Sequence, residues 1–432
     1  MTEARPPSPV PTSRPAPLGS AWTATPPRVL VVHNRYQQPG GEDVAFEAEA
    51  ALLEAHGHPV DRLEFSNDDI PPDRSLRTTL QLTLDTIWSR SAARTVAERA
   101  RHFRADIVHF HNTLPLVSPA AFRAARHTGA AVVASLHNYR AACPSATIFR
   151  DSHRCTDCVG KLLPWPGILH ACYRDSRPQT AVVAAMLTTH RLRRTFARDV
   201  DLFLTPSEAT RAIVAQHLPP DRILVKPNFT ADPGADLPPD PSAVTPPDTF
   251  LYVGRLTVEK GVPTLLDAWS TARGTPPAPL TIVGDGPLRP QVERAAAANP
   301  HLSYLGQVDR PTLLRQLRRA HALVIPSLWD EPFGLVAIEA YAASLPVIAA
   351  RTGALPEIVE DGVTGLLVSP GSADDLSRAA TRLVAQPDLA GEMASAARAR
   401  YEARYTPEAN YDLLATAYHE AIQHRDRTTS GH

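Results

Sequence analysis

The chain has 432 residues, too many for one ordinary hydrophobic core, and this length predicts two or three domains. Hydrophobic residues make up 43 % and charged residues 21 %, and 44 Lys and Arg balance 45 Asp and Glu. This balance leaves no overall excess of positive charge that would bind nucleic acid, and the apolar runs are too short to span a membrane. We therefore expect a cytoplasmic globular protein without nucleic-acid partners or transmembrane segments.

Residues 1–27 are rich in Pro, Ser and Thr and lack an apolar signal core, which predicts a disordered tail. From residue 28 to residue 230, buried-strand runs alternate with helical stretches. The strands are predicted at Arg28–Val32, Val60–Phe65, Asp106–Phe110, Ala131–Leu136, Leu202–Thr205 and Ile223–Val225. This alternation is typical of an α/β, Rossmann-like domain, which binds its ligands at the carboxyl ends of the strands.

Polar residues and glycines follow three of these strands. Gly40 and Gly41 open a predicted helix and permit close backbone approach by a ligand. His111 and His137 each follow a strand and precede an asparagine. His109 and His111 share one face of their strand, so a metal pair is conceivable, but no third ligand stands near them in sequence.

All four cysteines fall in residues 141–177, where the alternation of strands and helices is interrupted. They are Cys143, Cys155, Cys158 and Cys172. Four thiolates in a loop-rich insertion suit a tetrahedral structural zinc site, whereas disulfides are disfavoured in a reducing cytoplasm. Four reduced cysteines packed in an irregular loop are the alternative interpretation.

A second α/β domain is predicted at 250–406, after a proline-rich linker at 231–249. Residues 326–350 read as loop, helix and strand after the apolar run Leu323–Ile325. The helix start suits an anionic ligand such as a phosphate, and Glu331 and Glu339 flank it. Carboxylates repel phosphate, so these two are interpreted either as acceptors for sugar hydroxyls or as solvated surface charges. The last helix, Pro407–Gln423, is long enough to pack back on the first domain, which would then comprise 28–230 and 407–425.

Four stretches of the second domain appear in an order that resembles the retaining GT-B glycosyltransferases of family 4. They are VGRLTVEKGV at 253–262, VGDGP at 283–287, LGQV at 305–308 and PSLWDEPFGLVAIEA at 326–340. The cysteine-containing stretch of the first domain resembles a bacterial subgroup with a similar cluster. The resemblance covers about residues 28–425 and implies two Rossmann-like domains facing each other across a cleft.

The resemblance implies a role for each matching residue. Arg255 and Lys260 would hold the diphosphate of a nucleotide-sugar donor and, with Glu331 at the sugar and His137 near the anomeric centre, would form the catalytic group. The other donor contacts would be Gly40, Gly41, Gly254, Gln307, Val308, Phe333, Gly334, Leu335 and, at the ribose, Glu339. Ser207 and Asn228 would lie on the cleft wall. No catalytic cofactor or metal is implied, because the two cations supply the positive charge.

The acceptor would bind mainly to the first domain. Candidate residues are Asn34, His111, Asn112, Asn138, Tyr139 and Arg140. Because the sequence has no pronounced basic amphipathic stretch, it favours a small soluble acceptor of secondary metabolism over a cell-wall saccharide or lipid-linked carrier. UDP is the expected donor nucleotide and GDP the second choice. A nucleotide-sugar epimerase of the same architecture is an alternative function.

Overall fold

The computed structural model describes residues 25–37, 40–70, 75–234, 249–274, 276 and 278–430. Most of the predicted tail (1–27) and most of the predicted linker (231–249) lie outside these residues. Two parallel six-stranded sheets organise the described chain, and a two-stranded hairpin belongs to neither. None of the described helices combines the length and the apolarity needed to cross a membrane.

The first sheet and its hairpin lie in the amino-terminal half. The strands are β1 (Val29–Arg35), β2 (Val60–Ser66), β3 (Ile107–Phe110), β4 (Ala131–Ser135), the hairpin β5 (Phe149–Arg150) and β6 (His153–Arg154), β7 (Leu202–Thr205) and β8 (Ile223–Val225). The sheet order is β2-β1-β3-β4-β7-β8, with all neighbours parallel. The helices are α1 (Gly41–Ala55), α2 (Leu76–Trp88), α3 (Arg90–Phe103), α4 (Ala120–Arg126), α5 (Trp165–Leu169), α6 (Arg177–Leu192), α7 (Thr195–Asp199) and α8 (Glu208–Val214).

One sequence prediction in this half is corrected. The sequence of Leu76–Phe103 predicts a long helical region, but these residues form the two helices α2 and α3. The break falls at Ser89, whose extended backbone ends α2 and whose side chain accepts a hydrogen bond from Ala92 N to cap α3. Serine favours such caps over helix interiors because its hydroxyl satisfies a free amide there.

The second sheet has the order β11-β10-β9-β12-β13-β14, the arrangement of a doubly wound dinucleotide-binding fold. Its strands are β9 (Thr249–Val253), β10 (Leu280–Val283), β11 (Leu302–Gly306), β12 (Ala320–Ile325), β13 (Val347–Ala350) and β14 (Gly365–Val368). Its helices are α9 (Val262–Ala268), α10 (Arg289–Ala298), α11 (Arg310–Arg319), α12 (Leu335–Ala342), α13 (Leu355–Ile358), α14 (Ala373–Ala385) and α15 (Pro387–Arg404).

A last helix, α16 (Pro407–Ser430), returns to the first sheet. Its buried residues Leu414, Ala417, Tyr418 and Ala421 join the core on one face of that sheet. The apolar residues of β1, β3, β4 and β7 are buried on both faces, as expected for parallel strands covered by helices. The chain therefore crosses between the two sheets twice, once before β9 and once before α16.

Candidate active site

The strand order of each sheet determines where its loops form a crevice. In each sheet the strand order reverses at one point, between β1 and β3 in the first and between β9 and β12 in the second. Loops diverge there at the carboxyl ends of the strands and leave a crevice that binds ligands. Gly40 and His111 follow β1 and β3, whereas Lys260 and Glu331 follow β9 and β12.

Glu331 is held in place by neighbouring side chains at the second crevice. It is buried, and the Lys260 ammonium donates to its two carboxylate oxygens at 2.7 and 3.0 Å. The Ser327 hydroxyl donates to the same carboxylate at 2.6 Å. The ammonium also lies 5.2 Å from the centre of the Trp329 ring, a cation–π distance. These contacts fix a carboxylate and an ammonium side by side at the mouth of the crevice.

Two glycines allow the loops that carry Lys260 and Glu331 to pack closely against their neighbours. Gly261 has φ +74°, and a Cβ there would lie 1.8 Å from the Pro326 carbonyl oxygen. Gly353 has φ +51°, and a Cβ there would lie 2.4 Å from the Glu331 amide nitrogen. Any larger residue at either position would push the loop of Glu331 away from Lys260.

The first domain holds the loop of Glu331 from both sides. The Arg154 guanidinium of β6 donates to the Asp330 carboxylate at 2.5 Å. The hydroxyls of Ser207 and Thr210 donate to the Pro332 carbonyl oxygen at 2.7 and 3.1 Å. The two domains therefore meet at the residues that flank Glu331, and Ser207 is part of this contact.

Gly41 and Leu335 come together across the cleft. A Cβ on Gly41 would lie 3.1 Å from the Leu335 side chain at the start of α12. The Gly40 amide donates to the Asp43 carboxylate at 2.7 Å, which caps α1. The glycine pair of the first domain therefore lies next to the start of helix α12 in the second domain.

The remaining predicted donor-binding residues lie at the same edge of the second sheet, but their side chains differ in how exposed they are. Arg255 is exposed, and the hydroxyl of buried Tyr252 donates to its carbonyl oxygen at 2.9 Å. Glu339 is partly buried and accepts from the Arg310 guanidinium at 3.2 Å. Burial raises the pKa of Glu339. Gly254, Gln307, Val308 and Gly334 lie at strand ends or at the helix start, whereas the Phe333 side chain is buried in the core and leaves only its backbone for a ligand.

His137 and His111 pair at the ends of the adjacent strands β4 and β3, beside the first crevice. Their rings stack at 5.3 Å, and His111 Nδ1 lies 3.1 Å from His137 Nε2. Burial lowers the pKa of His137 to about 4 and that of His111 well below its usual value. Both imidazoles are therefore neutral at neutral pH, so one ring donates the shared proton and the other accepts it.

A buried ion pair lies behind these imidazoles. The Lys226 ammonium donates to the Glu49 carboxylate at 2.6 Å and to Asn410 Oδ1 at 3.0 Å. The other Glu49 oxygen lies 3.7 Å from His111 Nε2 and 3.9 Å from His109 Nδ1. Burial alone would raise the pKa of Glu49, but the charge and the hydrogen bond of the Lys226 ammonium outweigh burial and lower that pKa.

Glu49 supplies the third ligand that the sequence did not offer for a metal at His109 and His111. Within the described residues these three side chains are the group whose ligand atoms all lie within 4.8 Å of one another. However, the two nitrogens of His109 are already hydrogen-bonded to Tyr418 and Ser135, each at 2.9 Å. A divalent cation would also sit beside the buried Lys226 ammonium and be repelled. The group is better explained as a hydrogen-bonded network.

Several predicted acceptor residues make hydrogen bonds that hold the loops of the first domain together. Asn34 is fully buried, and its side chain bonds Asn67 at 2.8 Å and the Leu116 amide at 3.0 Å. Asn112 donates to the Asn34 carbonyl oxygen at 2.7 Å. Tyr139 is fully buried in a small cluster with Cys143 and Ile148. His111, Asn112, Asn138 and Arg140 line a cavity of about 80 Å³ together with His137.

Glu42 is a candidate that sequence reasoning missed. It lies in the first turn of α1 and accepts from the Asn138 amide at 3.1 Å. Burial, reinforced by neighbouring Asp43, raises the pKa of Glu42 to about 7. A carboxyl group with such a pKa in a crevice is typical of a functional position. The signal available in sequence was its place directly after Gly40 and Gly41.

The four cysteines converge, although they come from separate turns of the insertion. All are free thiols, and they line one cavity of about 10 Å³, which is room for one water-sized sphere. Their sulfur atoms are not among the groups that lie within 4.8 Å of one another. Burial raises the pKa of the Cys158 thiol to about 11. Zinc binding would therefore require the loop to tighten and the thiols to lose their protons.

Two Rossmann-like domains that join their crevices in this way define the GT-B class of fold. The family model described as glycosyltransferase family 4 matches residues 39–231, and the model for group 1 glycosyl transferases matches residues 237–400. The two models together account for most of the chain. It belongs to the group 1 glycosyltransferases of family 4.

Curated relatives match mainly through part of their length. Glycogen synthase of Mycobacterium tuberculosis is 38 % identical over 177 residues, which cover 40 % of this chain and 42 % of that protein. Alpha-D-kanosaminyltransferase of Streptomyces kanamyceticus is 31 % identical over 175 residues, which cover 39 % of this chain and 45 % of that protein. The matched region thus spans less than half the length of either relative.

Solved structures match over nearly the whole chain. Anabaena Alr3699/HepE in complex with UDP and glucose has a TM-score of 0.63 at 19 % identity, covering 90 % of this chain and 98 % of that one. Sucrose-phosphate synthase from Thermosynechococcus elongatus has a TM-score of 0.63 at 20 % identity, covering 92 % and 99 %. At this identity the similarity establishes the fold.

Proposed function

We propose that the protein is a retaining glycosyltransferase that moves a sugar from a nucleoside-diphosphate donor to an acceptor bound on the first domain. The observation that carries the proposal is the buried Glu331 carboxylate, held by Lys260 and Ser327 where the two domains meet. A carboxylate in this position accepts hydrogen bonds from sugar hydroxyls. The adjacent ammonium, with Arg255, neutralises the diphosphate as it leaves.

The proposed reaction needs no protein nucleophile. The bond between the anomeric carbon and the diphosphate oxygen breaks, and the acceptor oxygen bonds to that carbon on the same face. The acceptor hydroxyl proton passes to the departing phosphate oxygen. The protein contributes positioning and charge stabilisation, with neutral His137 near the anomeric centre and no metal ion invoked.

The donor nucleotide is proposed to be UDP, with GDP as the second candidate. The structures of Anabaena HepE similar to this chain are complexes with UDP and UDP-glucose, which supports this order. Glu339 would accept from the ribose hydroxyls, and backbone near Gln307 and Val308 would meet the base. Gly41 would approach the phosphates from the first domain.

A thermal-shift screen of UDP- and GDP-sugars tests the donor. A ligand that binds only the folded state at about 100 times its Kd adds about 2.7 kcal/mol to the free energy of unfolding. We therefore expect the matching nucleotide sugar to raise Tm by several degrees, and the matching free nucleotide to raise it less. If no nucleotide or nucleotide sugar raises Tm, the donor proposal is wrong.

Incubation with donor alone separates transfer from epimerisation, the second enzyme class with this architecture. A transferase should leave the stereochemistry of the donor sugar unchanged. At most it should hydrolyse the donor slowly and release the free sugar. Accumulation of an isomerised nucleotide sugar, detected by NMR, would favour the epimerase instead.

We also propose that Cys143, Cys155, Cys158 and Cys172 hold one structural zinc ion. The convergence of four free thiols on one small cavity supports this proposal. Elemental analysis should find about one zinc per chain. Cys155→Ser/Cys158→Ser should lose that zinc, whereas Ser145→Ala beside the cavity should keep it. Zinc-free protein of unchanged Tm would leave the cysteines as packed thiols.

A further inference from the structure

Large apolar side chains are exposed on one part of the first domain. Among the residues that the structure describes, eight of the twelve exposed large apolar side chains lie on α2, on the segment around α5 and at the end of α6. On α2 they are Leu76, Leu80 and Leu84, with exposed fractions of 91, 60 and 53 %. Their spacing of four residues places them in one row, about 12 Å long, on the same face of the helix. The others are Leu162, Leu163, Trp165, Leu169 and Leu192.

The three segments meet at the carboxyl-terminal part of α6. From the α2 side, the Trp88 ring stacks on His190 at 5.1 Å, and His190 Nε2 lies 2.9 Å from the Ile87 carbonyl oxygen. From the α5 side, Thr188 and Arg191 donate to the Leu162 carbonyl oxygen at 3.3 and 3.1 Å. The exposed residues therefore flank a single helix, and we call them the α2–α5–α6 face.

This face is strongly basic in a chain that is nearly neutral. Residues 76–88, 161–177 and 188–194 contain seven Lys and Arg against two Asp, whereas the whole chain has a net charge of -1. Six of the seven cations are exposed: Arg77, Lys161, Arg174, Arg177, Arg193 and Arg194. Exposed leucines and a tryptophan among Lys and Arg are typical of surfaces that lie in the interface of an anionic bilayer.

We propose that the α2–α5–α6 face docks on an anionic lipid bilayer. The leucines and Trp165 would enter the boundary between headgroups and acyl chains, and the cations would contact lipid phosphates. A second copy of the chain fits this face poorly. A symmetric contact would bring its excess positive charge against itself without a compensating acidic patch.

The face adjoins the acceptor side of the candidate active site. Met186 and Leu187 of α6 line the cavity of about 80 Å³ that also contains His137. An acceptor with an apolar tail could extend from the bilayer along α6 toward His137. The sequence favoured a soluble acceptor because no single stretch is basic and amphipathic. That reason fails in the folded chain, where three stretches assemble such a surface.

Vesicle co-sedimentation tests the docking. The wild-type protein should sediment with phosphatidylglycerol–phosphatidylcholine vesicles and much less with pure phosphatidylcholine vesicles, and high salt should release it. Leu80→Ser/Leu84→Ser/Trp165→Ser should weaken binding to the anionic vesicles by roughly 10- to 100-fold. Arg77→Glu/Lys161→Glu should weaken it about tenfold.

Val363→Ser removes an exposed apolar residue of the second domain and should bind the vesicles as the wild type does. Circular dichroism and the nucleotide-sugar thermal shift should be the same in all variants, so loss of vesicle binding is distinguishable from misfolding and from failure of the donor proposal. The proposal is overturned if the wild-type protein does not sediment with anionic vesicles. It is also overturned if the protein is a dimer that the leucine–tryptophan variant converts to monomer.

Discussion

Glu331→Ala should reduce turnover by about 100- to 1,000-fold while the chain stays folded. The substitution removes the carboxylate that Lys260 and Ser327 hold at the meeting point of the domains. Without it, the transferred sugar loses its hydroxyl acceptor and the Lys260 ammonium loses its fixed position. Steady-state kinetics with a donor that the thermal-shift screen has identified, together with Tm, measure the two effects separately.

Glu293→Ala is the matched control for this substitution. Glu293 is an exposed glutamate of the same domain that pairs with Arg289 at 2.7 Å on the surface of α10. Its loss should change turnover less than twofold, because exposed pairs contribute little. Near-normal turnover of Glu331→Ala would remove Glu331 from the donor site. Intermediate activity of Glu331→Gln would show that a side-chain hydrogen-bond acceptor at this position supports part of the turnover without the negative charge.

Lys226→Met should lower the free energy of unfolding by about 3–5 kcal/mol and Tm by roughly 10 °C. Lys226 and Glu49 are both almost completely buried, so the variant leaves a carboxylate in the core without its counter-charge. Chemical denaturation at neutral pH measures the loss. Lys161→Met removes an exposed lysine and should stay within about 0.5 kcal/mol of the wild type.

The loss of stability caused by Lys226→Met should become smaller as pH falls. In the wild type the pKa of Glu49 is lowered, so its contribution to stability is present at neutral pH and is lost as pH falls through that pKa. In Lys226→Met the carboxyl can take up a proton and become neutral. The gap between the two proteins should therefore narrow from pH 8 to acidic pH, and Glu49→Gln/Lys226→Met should be more stable than Lys226→Met at neutral pH. A gap that does not change with pH would show that lost packing, not charge, causes the effect.

The sequence by itself determined the architecture and the chemistry of the second crevice. Apolar runs of strand length between helical stretches are local signals, and each strand–loop–helix unit carries its polar residues in its own loop. The resemblance of these loops to those of family 4 then placed Lys260 and Glu331 at one crevice before the fold was known. The same reasoning identified His111 and His137 at strand ends, where the structure pairs them.

Only the tertiary structure decided which distant residues meet. Glu49 pairs with Lys226 across 177 residues of sequence, and Arg154 reaches Asp330 across 176. It also showed that Asn34 and Tyr139 are buried, and that the exposed leucines of separate segments flank helix α6. Periodicity along the chain reports which face of an element is apolar, but the partner of a buried charge and the neighbours of an exposed leucine depend on how the elements pack.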